Sequence, residues 1–264
     1  MYDFEYHRAQ SLADAAGKLA AEREAKLLAG GMSLLPALKQ RLAQYTALVD
    51  LNRVDALQSV RREGDTLVIG AMTRHATVAG SETVARAIPA LSVLAGGIGD
   101  PLVRNRGTLG GSIAHADPAA DYPAAVLGLD ATVITDQRSI AGSDFFTGLF
   151  ETALRPAEII TAVSFPIPIA AGYAKFRQPA SRFALVGVFV ARTRAGIRVA
   201  VTGAGPAVFR WAQAEAALKA KFDAAALNDV ALSPDGLNAD IHASAEYRAH
   251  CVRVMAKRAV AAAT

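Results

Sequence analysis

The sequence predicts an α+β protein built as two small mixed subdomains followed by a C-terminal unit in which strands and helices are segregated. Three observations predict it. Residues 11–51 alternate between helical and strand periods. From Leu57 the texture changes to paired strands about a turn. Beyond a run with two prolines and a glycine, four strand-like segments precede two helical ones. The expected division is an N-terminal domain at 1–166, with subdomains at about 1–53 and 54–166, a linker at 167–172 and a C-terminal domain at 173–264.

Each element has a local reason. Ser11 followed by LADAAGKLAAE reads as a capped helix, with Leu12, Ala15, Ala16 and Leu19 on one face. AKLLA is a short apolar run suited to a buried strand, stopped by Gly30 and Gly31. Ser33 then stands where it can cap a second helix, LLPALKQRLA, whose Pro36 falls in the tolerated first turn. ALVDL at 47–51 completes a helix, strand, helix, strand unit. QSVRREGDTLVIGA predicts a hairpin about Glu63, Gly64 and Asp65. Helices are expected at 82–87, 90–95 and 122–127, the last capped by Asp121, and strands at 131–135 and 159–165. After the linker, YAKFRQ, FALVGVFVART, GIRVAVTGAG and AVFRW read as successive strands, one hairpin turning at Ala195 and Gly196. A final helix is expected at 244–262.

Composition excludes several classes. The chain has 264 residues, 52% of them apolar, enough to fill a core. Its longest strictly apolar stretch, FALVGVFVA, is about half of what spans a bilayer, and MYDFEYHRAQ lacks a signal peptide's apolar centre. No transmembrane segment and a cytoplasmic location are expected. The net charge of +4 is modest and its basic residues are scattered, so no nucleic-acid partner is expected. Arg248, Arg253, Lys257 and Arg258 read as a solvated helix face or a docking surface. Cys251 is the only cysteine, which excludes an intramolecular disulfide and any all-thiolate zinc or iron-sulfur site made by this chain alone. If electrons move here, an organic cofactor carries them.

Two loops carry the chemistry: Ala29-Gly30-Gly31-Met32-Ser33 and Thr108-Leu109-Gly110-Gly111-Ser112. Each follows an apolar run and sets glycines beside a small hydroxyl residue. Glycine lets a ligand approach the backbone closely, and successive unpaired N–H groups attract an anion such as a diphosphate. Two such loops could grip one diphosphate from both sides; read singly, each is better taken as a plain tight turn, and only as a pair do the two readings stand level. Neither is a Rossmann fingerprint or a P-loop. His115, Asp117 and Asp121 lack the further ligands of a metal site, so none is expected. The five histidines His7, His75, His115, His242 and His250 are dispersed, and no G-x-S-x-G elbow occurs. No catalytic residue is assigned.

As a set, LLAGGMSLLPALKQR, VDLNRV, LVIGAMTRH, IGDPLVRNRGTLGGSIAHADPAADYPA, FFTGLFETAL and EYRAHCVRVMAKRAV resemble the FAD-binding (medium) subunit of the molybdenum hydroxylases, the family of carbon monoxide dehydrogenase and xanthine dehydrogenase. The resemblance runs in order over nearly the whole chain. It implies a para-cresol methylhydroxylase-type FAD-binding domain of two subdomains, then a small antiparallel sheet with helices. It implies FAD contacts at Leu28, Ala29, Gly30, Gly31, Met32, Ser33 and Leu34, and at Thr108, Leu109, Gly110, Gly111 and Ser112. Asp121 matches the family's acidic contact, Ile98 an aromatic position in some members, and Ile160 an apolar contact. Arg177 stands where a basic residue is usual and Phe183 where an aromatic one lies beside the flavin. Met32 and Ser112 depart from the family's polar residues but keep their backbone donors.

The resemblance further implies a division of labour. Substrate is oxidised at a molybdenum-pterin cofactor on a large partner subunit. Electrons pass through two [2Fe-2S] clusters of a small partner subunit to FAD here, then to an external acceptor, in a dimer of heterotrimers. A free-standing FAD reductase or oxidase of the same superfamily, and an assembly module without cofactor, are the competing readings. The substrate and the acceptor lie outside this sequence.

Overall fold

The computed structural model describes all residues, 1–264. The first unit is a parallel three-stranded sheet. Its elements are β1 (Glu5–Arg8), α1 (Leu12–Ala21), β2 (Ala25–Leu28), α2 (Leu34–Lys39) and β3 (Ala47–Asp50), with strand order β1-β3-β2. Ser11 caps α1 as expected, accepting from the Asp14 N–H. β1 is unforeseen because EYHR has no apolar face; it forms by pairing with the fully buried β3, Glu5 opposite Ala47 to Arg8 opposite Asp50. Two expectations are corrected at α2. Ser33 makes no side-chain cap, because its backbone is already helical, and the helix ends at Lys39 where Arg41 turns left-handed at φ 58°.

The second unit carries an antiparallel sheet of β4 (Val60–Glu63), β5 (Thr66–Gly70), β6 (Thr132–Thr135), β7 (Ser139–Ala141) and, after the short hairpin β8 (Phe146–Gly148) and β9 (Glu151–Thr152), β10 (Ile160–Pro166). The order is β4-β5-β10-β6-β7. Between β5 and β6 run six helices: α3 (His75–Gly80), α4 (Glu82–Ala87), α5 (Pro89–Gly96), α6 (Pro101–Arg106), α7 (Leu109–His115) and α8 (Tyr122–Gly128); α9 (Gly142–Phe145) joins β7 to β8. The hairpin at Glu63 forms as predicted, Glu63 pairing with Thr66. Helices α3, α6 and α7, of six or seven residues each, were not anticipated from the sequence.

The third unit is the antiparallel sheet β11 (Ala170–Arg177), β12 (Ala184–Thr193), β13 (Gly196–Thr202) and β14 (Phe209–Arg210), covered by α10 (Ala212–Ala220) and α11 (Ala245–Ala261). β11 starts earlier than expected, since Ala170 to Gly172 already pair with Arg192 to Val190; only three residues connect it to β10. The apolar run at 183–191 is explained by burial on both faces of β12. Val186, Val188 and Val190 join the core beneath α11, whereas Phe189 and Ala191 join the core of the second unit. That second core continues without a break across the two units, so truncating the fully buried Phe189 to alanine would remove about 3–5 kcal/mol. Ser244 caps α11 through the Tyr247 N–H.

One surface expectation is overturned here. Arg248 is not solvated: it is 3% exposed, donates to the Leu185 and Gly203 carbonyls and pairs with Asp240 at 2.7 Å.

Candidate functional site

The two glycine loops meet. A Cβ on Gly30 would stand 2.2 Å from the Arg106 carbonyl oxygen, and one on Gly111 would stand 3.5 Å from the Ala29 Cβ. At Gly30 only a residue without a side chain allows the backbones to approach so closely. Gly31 also needs its φ of +74°, which turns the chain from β2 into α2.

The loops differ in what they offer. The N–H groups of Gly30, Gly31, Met32 and Ser33 donate to no protein acceptor, although both glycines are buried. Buried backbone donors are almost always paired, so the two glycine N–H groups are available to an anion, with those of the exposed Met32 and Ser33 beside them. The second loop is corrected by the structure: it is the first turn of α7, capped by Thr108, whose Oγ1 accepts from the Gly111 N–H at 3.2 Å. Leu109 donates to the Thr73 carbonyl, Gly110 to that of Ala71 and Ser112 to that of Thr108. The expected free donors of Gly110, Gly111 and Ser112 are therefore used within the chain. What this side presents to the first loop is Gly111, close against Ala29.

Supporting residues fix both loops. Asn52 Nδ2 holds the Ala29 carbonyl at 3.1 Å and Asp50 Oδ1 at 2.6 Å, and the Tyr6 hydroxyl donates to the other Asp50 oxygen. Burial pushes the Asp50 carboxyl up, but the bonds from Tyr6 and Asn52 outweigh it and hold it below the usual carboxylate range. Beneath α7, His75 is 4% exposed and its ring lies 5.3 Å from that of Tyr122. Burial, aided by the charge of Arg104, lowers the His75 pKa to about 4. Ile160 is buried on β10, and the next residue, Thr161, accepts from Ala71, the partner of Gly110.

A second cluster gathers Ile98 and Asp121. Asp121 was expected to cap α8; instead its backbone is helical and makes no cap. Its carboxylate accepts from the Tyr173 hydroxyl at 2.6 Å and from Lys175 Nζ at 2.8 and 3.0 Å. Burial pushes this carboxyl up while Lys175 and Tyr173 pull against it; burial and the neighbouring Asp121 raise the Tyr173 phenol. Lys175 also donates to the Gly97 carbonyl at 3.0 Å, and Arg104 grips the Ile98 and Gly99 carbonyls. Sequence reasoning missed Lys175, because a lone Lys on a strand carries no signal until its partner is located. Arg177 is exposed at a bulge opposite Ala184, and no hydrogen bond ties its side chain to the cluster. Phe183, 48% exposed, lines a cleft of about 350 Å³ with Asp117, Phe150, Asp240, His242 and Arg248. Met32 is also exposed. His115 packs on Phe150 with ring centroids 5.2 Å apart, and Asp117 accepts from the Ala119 N–H.

Fold and cradle fit the class of proteins that hold a diphosphate-bearing cofactor. Residues 2–168 match the family described as FAD binding domain in molybdopterin dehydrogenase. The nicotine 6-hydroxylase medium subunit of Paenarthrobacter nicotinovorans is 35% identical, covering 97% of this chain and 95% of its own length. The carbon monoxide dehydrogenase medium chain of Hydrogenophaga pseudoflava is 35% identical, with 98% and 96% covered. Reconstituted CO dehydrogenase from Oligotropha carboxidovorans superposes with a TM-score of 0.92 at 33% identity, over 99% of this chain and 97% of that one. The chain belongs to the FAD-binding subunit family of the molybdenum hydroxylases. It is the flavoprotein component of an oxidoreductase, and its cofactor is FAD. The α+β fold class is borne out, and no helix is long and apolar enough to cross a membrane.

Proposed function

We propose that this chain is the electron-transfer subunit of a cytoplasmic heterotrimeric molybdenum hydroxylase, assembled as a dimer of heterotrimers. The large partner carries the molybdenum-pterin cofactor and oxidises the substrate; the small partner carries two [2Fe-2S] clusters. When bound, FAD supplies the exchange of electrons between those clusters and an external acceptor. The observation that carries this reading is the meeting of the two glycine loops, one with four unpaired N–H donors and one bringing Gly111 against Ala29.

The chain's own residues bind and orient. Leu28 to Leu34 hold the diphosphate through the donors of Gly30 to Ser33, while Thr108 to Ser112 close the opposite wall. Ile98, Asp121 and Ile160 contact the cofactor beyond the diphosphate, and Arg177 and Phe183 flank the flavin from the β11–β12 turn. The cofactor lies between residues 1–53 and 54–166, with residues 173–264 as a covering unit. No group here moves a proton to substrate; the dispersed histidines and lone cysteine support that assignment.

Reconstitution tests it. The purified chain, alone or with its partners, takes up FAD and releases FAD, not FMN, on denaturation, and two further polypeptides copurify, one containing molybdenum. A chain that binds no FAD in either setting would refute the reading.

A further inference from the structure

Lys175 belongs to the third unit, yet every polar contact of its side chain is with the second. Its Nζ reaches both oxygens of Asp121 and the carbonyl of Gly97. Tyr173, two residues earlier and therefore on the same face of β11, adds its hydroxyl to Asp121 Oδ1. The Lys175 and Asp121 side chains are 8% and 4% exposed. An ionised carboxylate offers about four lone-pair sites. Here Oδ1 fills two and Oδ2 one, so one acceptor site on Oδ2 stays open. A buried ion pair adds little net stability over apolar packing of the same volume. The side-chain bonds of this strand lysine all go to one acidic side chain and one carbonyl, which ties β11 to the second unit at this point.

The position concerned is the second cluster. Gly97 precedes Ile98, and the same turn is held by Arg104 at 2.9 and 3.1 Å and by Arg182 at 3.5 Å. We infer that Lys175, from the third unit, is a positioning residue for the FAD site that acts through Asp121 and does not itself touch the cofactor. This rests on the proposed function, in which Asp121 and Ile98 face FAD.

A double-mutant cycle on the full chain tests it. Asp121→Asn, Lys175→Met and the pair together are titrated with FAD by fluorescence, and each is melted while the emission of the single tryptophan, Trp211, is followed. Asp121→Asn is expected to weaken FAD binding about tenfold or more. The double variant, in which neither charge is left buried and unpaired, is expected to fold and to bind no more weakly than Asp121→Asn alone. If Lys175→Met alone fails to fold, the comparison of those two variants still decides. Additive losses would show that Lys175 touches FAD directly, and wild-type affinity in the double variant would show a merely structural pair; either overturns the inference. Wild-type chain that binds no FAD would instead overturn the functional reading on which it rests.

Discussion

Replacing Gly30 with alanine probes the cradle at its narrowest point. The new Cβ would stand 2.2 Å from the Arg106 carbonyl oxygen and 2.7 Å from the Gly107 Cα, against about 3.4 Å for ordinary contact. Both obstacles are backbone atoms and cannot rotate aside. Gly107 is itself pinned, its N–H on the Val103 carbonyl at 2.7 Å and its carbonyl on the His75 N–H at 3.0 Å. The loops must therefore part by roughly 1 Å, and overpacking of this kind costs about 1–3 kcal/mol. A free protein that parts its loops has to close them again to grip the diphosphate. The same energy is then lost from binding, about 5- to 150-fold in FAD affinity. The assay is a fluorescence titration of the apo chain with FAD, beside thermal melts. Gly17→Ala is the control: Gly17 lies within α1 with nothing within 4 Å of its Cβ. That change should raise stability by about 0.5–1 kcal/mol and leave FAD affinity alone. Wild-type affinity in Gly30→Ala would refute the claim that both loops close on one ligand.

Gly111→Val places a branched side chain 2.8 Å from Thr108 Oγ1 and against Ala29; FAD binding should be lost while Trp211, buried in the third unit, keeps its native emission. Retention of stoichiometric FAD would remove the second loop from the diphosphate. Glu158→Gln addresses stability. Arg138 at 2.9 Å, with help from the Arg155 N–H and the Thr135 hydroxyl, holds this carboxyl down at about 2 against burial, which raises it. Because the folded value lies below the unfolded one, the stabilisation is full above about pH 4.5 and fades as pH falls toward 2. The variant should lose about 1.5–3 kcal/mol at neutral pH and show a flatter acid limb in urea melts; an unchanged limb would contradict the pairing. His75→Phe probes the same sign of pH dependence in a higher window. With a folded pKa near 4 against 6.5 unfolded, wild type loses stability as pH drops between those values, since the unfolded chain takes the proton first. The melting-temperature difference should shift in the variant's favour across that window, and parallel curves would show that His75 is not held neutral.

The sequence made the fold legible wherever a period or a capping residue was local. Ser11 and Ser244 start their helices where expected, and the turns at Gly64 and Ala195 form their hairpins. It failed where pairing or burial came from elsewhere. EYHR becomes a strand only because β3 lies beside it. Arg248 reads as a solvated face until Leu185, Gly203 and Asp240 surround it. Asp121 reads as a cap because the residue preceding a helix is so often one, yet its partners Tyr173 and Lys175 are 52 and 54 residues away.

What the sequence determined by itself was a kind of chemistry: paired glycine loops at a fixed separation, one cysteine, and family motifs in order along the chain. Those are properties of residue type and spacing, which need no third dimension. What only the tertiary structure decided was how the two loops share the work. Their sequences look alike, but folding spends the second loop's donors on Ala71, Thr73 and Thr108 and leaves the first loop's donors unpaired. A backbone N–H carries no mark of its eventual partner, so which glycine loop can hold an anion is settled by the segment folded against it.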